Sequence, residues 1–340
     1  MRVRWVRQCV QSIYRLELYE ILGIAVSALA IAVFFVFAKR LDEIIGISDY
    51  HWKVANAVVG MYQNLFTWLF TGAFMLLLLL LALLRKQNHQ LLRKLAYLIR
   101  VLLAFCTMLA IYKIVNFYIS VFNPFDRDIA LQRIDRALFF GKLPAEWFSY
   151  ITCKPLTDLF SAAYMSWFVL TYSTILVMMT HSRKAVVEFV FTAMSTFYIG
   201  YLTYIMVPAI GPIFTVQFAH PIGGISSVFT HDQVLVERDC FPSLHTGISL
   251  VMLISVWRYR RKWMWLYAPL VTLIICSTMY LRFHYGIDVI AGGALAVAMT
   301  QLCPLAVRWW EAKRASHLDF ASSDAAAPAA DGHSSVSELA

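Results

Sequence analysis

Long apolar runs separated by short polar stretches dominate this chain. A run of about 20 apolar residues is long enough to cross a bilayer as a helix. Eight such runs can be marked, at 18–38, 58–84, 95–121, 156–180, 185–207, 244–257, 263–281 and 285–307. The sixth is short for a crossing. The first is too long for a signal-peptide core and has no convincing cleavage site, so it reads as a retained span. The pattern predicts an all-α, polytopic membrane helical bundle of about eight transmembrane helices. After Arg314 the composition turns to Ala, Ser, Asp and Pro, which predicts a disordered tail. No internal repeat is visible.

Composition agrees with the pattern. The 340 residues are 60% hydrophobic and 14% charged, too apolar for a soluble domain of this length. The net charge of +9 comes from short basic clusters between apolar runs, which suits membrane flanks and not nucleic-acid binding. Arg2, Arg4, Arg7 and Arg15 form one cluster, Arg85, Lys86, Arg93 and Lys94 the next, then Arg183 with Lys184. Arg258 to Lys262 and Arg308 to Arg314 complete the series, while the alternate loops carry mixed signs. By the positive-inside rule both termini are expected in the cytoplasm.

Two of the opposite loops are long. Residues 122–155 place Leu131, Ile134, Leu138 and Phe139 at helical spacing among Arg133, Asp135 and Arg136. This is either an amphipathic helix on the outer leaflet or a connector packed on the bundle. Residues 208–241 are rich in Pro and Gly, exclude a continuous helix, and form a candidate lid.

Two histidine motifs carry the chemistry. Phe241-Pro242-Ser243-Leu244-His245-Thr246-Gly247 opens the sixth span and His284-Tyr285-Gly286-Ile287-Asp288 opens the eighth, both on the extracytoplasmic side. On a helix the i, i+4 spacing puts Asp288 on the face of His284. A carboxylate on one ring nitrogen leaves the other as a nucleophile. Ser243 reads as an N-cap whose helix start offers backbone N–H groups to phosphate oxygens. A lone histidine near a helix end is usually structural. Two on one membrane face, one with an i+4 aspartate, point instead to phosphoryl transfer, because ionisable groups at membrane depth are functional by default. His284 would attack phosphorus and His245 would serve as general acid and base. No metal or cofactor is required. A zinc site is the rival use of these residues, but no Cys or second carboxylate stands at ligand spacing.

These motifs resemble the second and third signatures of the type 2 phosphatidate phosphatase superfamily, the lipid phosphate phosphatases. The resemblance implies a six-helix phosphatase/phosphotransferase core, with His245 as acid/base, His284 as nucleophile and Asp288 orienting it. Ile134 to Gly141, with Pro144 and Trp147, and the stretch from Tyr204 to Pro212 resemble the inositol phosphorylceramide synthase-like branch. On this reading residues 1–94 hold extra transmembrane helices, 95–312 the catalytic core, and 313–340 a cytoplasmic tail. The chain departs from the phosphatase branch at its first signature, where 206–212 has no basic residue, and at Thr278, where the family's third signature carries Arg. Arg282, Arg238 and Lys154 are the substitute cations for binding phosphate. Lys113 and Asn116 read as a snorkelling pair. Cys153 and Cys240 both map outside, and a disulfide between them would pin the first long loop.

The implied partners are a phospholipid or lipid phosphate substrate, a polyol or lipid acceptor, and the membrane itself. The expected activity is a phospholipid phosphotransferase working through phosphohistidine. Its alternative is metal-independent hydrolysis of phosphatidate or a polyprenyl pyrophosphate. A transporter would need charges near mid-membrane and paired broken helices, and neither is apparent.

Overall fold

The computed structural model describes residues 12–45, 89–219 and 237–326, with the single positions 56, 59, 60 and 222. Its elements are α1 (Leu18–Ile45), α2 (His89–Phe122), α3 (Asp128–Leu138), α4 (Pro144–Ser149), α5 (Lys154–Met179), α6 (Arg183–Met206), α7 (Pro212–Thr215), α8 (Leu244–Tyr259), α9 (Met264–Tyr280) and α10 (Gly286–Ala326). A 3-10 turn, Arg261–Trp263, links α8 to α9. Among the described residues there is no strand, only an isolated parallel bridge between Ala209 and Asp239. Among the described residues six stretches, on α1, α2, α5, α6, α9 and α10, are long and apolar enough to span a membrane. The chain is an all-α integral membrane protein.

The expected second span, 58–84, lies outside the described residues. The short sixth span is α8. Its 16 residues measure about 24 Å, less than a hydrocarbon core of about 30 Å, which is why it falls outside the six. It packs against α5, α6, α9 and α10. Helix α6 is the centre of the bundle, with 83% of its most apolar stretch buried against 44% or less for the others. A helix apolar on every side belongs in such a position. Helix α1 lies against α2 and α6. Its approach is anchored by the buried Glu17 carboxylate, which accepts from Arg183 at 2.7 Å and Arg314 at 3.2 Å.

The expectation of a disordered tail after Arg314 fails over its first part. Helix α10 continues to Ala326, and the His317 ring stacks on Tyr14 at 4.2 Å. Alanine-rich sequence propagates a helix well once a long span has nucleated it. Residues 327–340 lie outside the described set.

The connector reading of the 122–155 loop is the one the structure describes: α3 packs on the bundle, against α10. Asp128, Leu131 and Asp135 of α3 are buried against the bundle, while Ile129, Ile134 and Leu138 are exposed. Residues 220, 221 and 223–236 of the candidate lid lie outside the described residues.

The feature that places the two histidine motifs together is a backbone contact between the first turns of α8 and α10. A Cβ on Gly292 would lie 2.2 Å from the Ser243 carbonyl oxygen, and one on Gly247 would lie 3.3 Å from that of Gly292. Small residues let membrane helices approach this closely. The neighbour is main chain, so Gly292→Ala must push the helices apart. Overpacking of this kind costs about 1–3 kcal/mol. The variant is expected to melt several degrees lower in detergent and to lose most turnover; an unchanged melting curve would show that the helices separate freely.

Candidate active site

The first motif is held by a capped helix start. Ser243 has extended backbone, is fully buried, and its hydroxyl accepts the Thr246 N–H at 3.3 Å. This fixes the rotation of α8 and turns His245 inward. The imidazole stacks on Tyr164 at 4.5 Å between ring centroids and lies 4.7 Å from Trp167, both from α5. Among the described residues its Nε2 is enclosed and has no hydrogen-bond partner.

The second motif hangs from the end of α9. The Arg282 N–H donates to Met279 O at 3.1 Å and the Phe283 N–H to Thr278 O at 3.0 Å, the two bonds of a Schellman cap. Such a cap needs a left-handed residue, and Arg282 supplies it at φ 67°. That backbone costs a non-glycine residue about 1–2 kcal/mol. The His284 N–H also reaches Thr278 O, at 3.1 Å. Thr278, the position where the resembled family carries Arg, thus anchors the turn that delivers His284.

The His284 and His245 ring centroids are 6.0 Å apart. His284 Nδ1 lies 2.9 Å from the Cys240 carbonyl and 3.5 Å from Asp288 Oδ2. Both neighbours are acceptors, so Nδ1 carries the proton and Nε2 keeps its lone pair. The nearer anchor is the Cys240 carbonyl. Asp288, fully buried, shares Oδ2 with the Tyr285 N–H at 2.8 Å and the Cys240 thiol at 2.9 Å. Burial, then the Asp288 charge, raises the Cys240 pKa and keeps the thiol protonated as that donor. Cys153 and Cys240 are both free thiols, so the disulfide left open between them is absent; the Cys240 thiol bonds to the aspartate instead.

Two aspartates to which the sequence pattern assigned no role, Asp135 and Asp128, brace this arrangement. Asp135 accepts the N–H groups of Gly286 at 2.7 Å and Ile287 at 2.8 Å, capping the first turn of α10. Asp128 accepts the N–H groups of Ile210 and Gly211 and the Tyr285 hydroxyl, the last at 2.9 Å. Their spacing with Leu131, i, i+3, i+7, was the available signal: two acids on the buried face of an amphipathic helix. Tyr164 and Trp167 of α5 form the wall behind His245.

The predicted phosphate-binding cations separate. Arg282 is buried, with its guanidinium 3.9 Å from the centre of the Phe218 ring, and burial lowers its pKa. Arg238 is committed elsewhere, paired with Asp126 at 2.8 Å and donating to Pro124 O at 2.8 Å and Ser120 at 3.2 Å. Lys154 is exposed and pairs with Asp158 at 2.9 Å. Lys113, expected to snorkel beside Asn116, pairs with Glu237. Asp239 receives the Tyr112 hydroxyl, and burial, then the Glu237 charge, push its pKa up to about 6. The argument from spacing against a metal also needs correction. Donor atoms of Cys240, His284 and Asp288 all lie within 4.8 Å of one another, because the fold imports the Cys from 44 residues upstream of the His. Those donors are matched to each other as thiol to carboxylate and imidazole N–H to carbonyl.

A family model described as PAP2 superfamily matches residues 129–302, just over half of the chain and the whole of the segment from α3 into α10. No curated protein and no solved structure matches.

Two outcomes follow from this geometry. Burial, opposed by the Gly286 and Ile287 N–H groups, raises Asp135 to about 6. The unfolded value is about 3.9, so the folded chain binds more protons between these limits, and the Asp135 contribution to stability decreases as pH rises from about 4 to about 6. Asp135→Asn should remove that slope from melting temperatures measured across this range; identical slopes would contradict it. Arg282→Gly should keep the Schellman turn and relieve its backbone, leaving thermal stability equal or higher. A fall in turnover of tenfold or more at that preserved stability is expected from loss of the buried cation, and unchanged turnover would remove Arg282 from the site.

Proposed function

The chain belongs to the PAP2 superfamily, and from that premise we propose that it is a membrane phospholipid phosphotransferase, similar to the inositol phosphorylceramide synthase branch, working through phosphohistidine. Members of the superfamily are phosphatases, so lipid-phosphate chemistry is common ground. The observation that carries the proposal is the 6.0 Å approach of two imidazoles, one with its Nδ1 tied down. A nucleophile about 3–3.5 Å from phosphorus and a proton donor on the leaving oxygen fit that separation.

In the first half-reaction His284 Nε2 attacks phosphorus and a P–N bond forms. The P–O bond to the leaving alcohol breaks, and protonated His245 gives its proton to the departing oxygen. In the second, His245 takes a proton from the acceptor hydroxyl, whose oxygen attacks phosphorus and frees His284. Asp288, with the Cys240 carbonyl, stabilises the imidazolium character that develops on His284. The first turn of α8 and Arg282 are assigned the phosphate charge. Ser243 contributes by holding that turn. Arg238 and Lys154, spent on other partners, drop out of this role.

Transfer is favoured over hydrolysis by two departures from the phosphatase pattern. Residues 206–212 carry no cation, and Thr278 has a structural task where a phosphate-binding Arg would stand. Residues 95–312 are taken as the catalytic core, with the site facing the extracytoplasmic side and both termini cytoplasmic, as the loop charges argue.

With labelled phosphatidylinositol or phosphatidate in mixed micelles, label should move to an added alcohol such as inositol or a ceramide. His284→Ala should lower the rate at least a thousandfold while melting normally. Acceptor-independent release of phosphate at the full rate would replace transfer by hydrolysis, and activity surviving His284→Ala would refute the mechanism.

A further inference from the structure

Helices α6, α8 and α10 also meet at the end of the bundle opposite the histidines. His245 and Arg258 are 13 residues apart on the unbroken α8, about 20 Å along the axis. There a cavity of about 400 Å³ opens between α6, α8 and α10.

Its floor is built by a proline. Pro304 lies inside α10 and has no N–H, so the Thr300 carbonyl four residues earlier loses its helical donor. Arg258 replaces that donor, its Nη2 reaching Thr300 O at 3.1 Å. The guanidinium is thereby fixed at the cavity wall. Glu188 of α6 enters from the other side and is only 4% exposed. The Tyr259 hydroxyl donates to its Oε2. Its Oε1 is enclosed and has no hydrogen-bond partner among the described residues, and the nearest cation, Lys184 Nζ, is 3.9 Å away. A buried carboxylate oxygen without a donor is costly, and the cost is relieved when a ligand supplies one.

The charges around it specify the ligand. Lys184, Arg258 and Arg308 line the cavity, three cations against one carboxylate. The occupant must be anionic overall and must also present a donor to Glu188. A phosphodiester with an ammonium or hydroxyl beside it meets both demands. The depth identifies its source. Trp257 and Trp309, each adjacent to a lining Arg, are exposed, as is Leu305 on the cavity rim. Exposed tryptophans mark the headgroup level of a bilayer, and Leu305 continues into the acyl region. The cavity is within the size range of ligand sites and matches a headgroup while leaving the chains outside.

We infer that this cavity binds the headgroup of a phospholipid in the leaflet opposite the active site, with the cations on the phosphate and Glu188 on the headgroup donor. The site is separate from the catalytic one and does not depend on the reaction proposed above.

Native mass spectrometry of the detergent-purified protein with added phosphatidylethanolamine tests it. The His284→Ala protein should bind this lipid as the wild type does. The double variant Lys184→Ala/Arg308→Ala changes two surface-exposed side chains and should lose one tightly held lipid, with a dissociation constant at least tenfold higher. Glu188→Gln should keep lipid binding but lose the preference for phosphatidylethanolamine over phosphatidylcholine, whose headgroup offers no hydrogen-bond donor. Soluble glycerophosphoethanolamine at the same concentration should not displace the lipid. Equal binding by the wild type and the double variant, an unchanged preference in Glu188→Gln, or displacement by the soluble headgroup would each overturn the assignment.

Discussion

The direct main-chain contact between the first turns of α8 and α10 governs the rest of the molecule. Side chains reach only a limited distance, so an imidazole in the first turn of α8 and one in the turn before α10 share a small ligand when those backbones come close. Here they do, through Gly292 against the Ser243 carbonyl and the Ser243 N–H donating to Asp288 O at 3.0 Å. Glycine at 292 is therefore a requirement of the site as much as of the packing. The Schellman turn at Arg282 then sets the angle at which His284 enters, and the Ser243 cap sets that of His245.

Around this contact the chain arranges a layer of acceptors for backbone donors. Helix starts leave N–H groups unpaired, and in a membrane protein water does not reliably satisfy them. Asp135 does so for α10 and Asp128 for the turn before α7. Both come from α3, whose opposite face is apolar and exposed. One short helix thus presents an exposed apolar face on one side and holds the backbone around the two histidine motifs on the other. The Cys240 segment closes the ring, lending its carbonyl to His284 and its thiol to Asp288.

Much of the fold was legible because its signals are local. Span length needs only a window of residues, and it marked the membrane bundle, with α8 as the short member. The i, i+4 relation of His284 to Asp288 and the Ser243 cap were equally local. What escaped notice is long-range. Nothing near Cys240 announces that its carbonyl would be the nearest partner of a histidine 44 residues on. Nothing near Arg238 tells that Asp126 occupies it, whereas the i, i+4 pairing of Lys154 with Asp158 is a local signal. Asp135 looked like part of the polar half of an amphipathic helix, because sequence shows that a face is distinct but not which face is buried. The length of α10 was misjudged for a related reason: an alanine-rich tail is weakly helical alone, yet continues a helix already built.

The account stands most directly on the nucleophile. Purified protein mixed with a lipid carrying labelled phosphate, quenched within one turnover and digested, should yield an acid-labile, base-stable phosphoryl group on the peptide containing His284. His245→Ala should retain the label longer, because the second step lacks its base. Label on another residue, or undiminished turnover with no phosphoenzyme at any time, would contradict it.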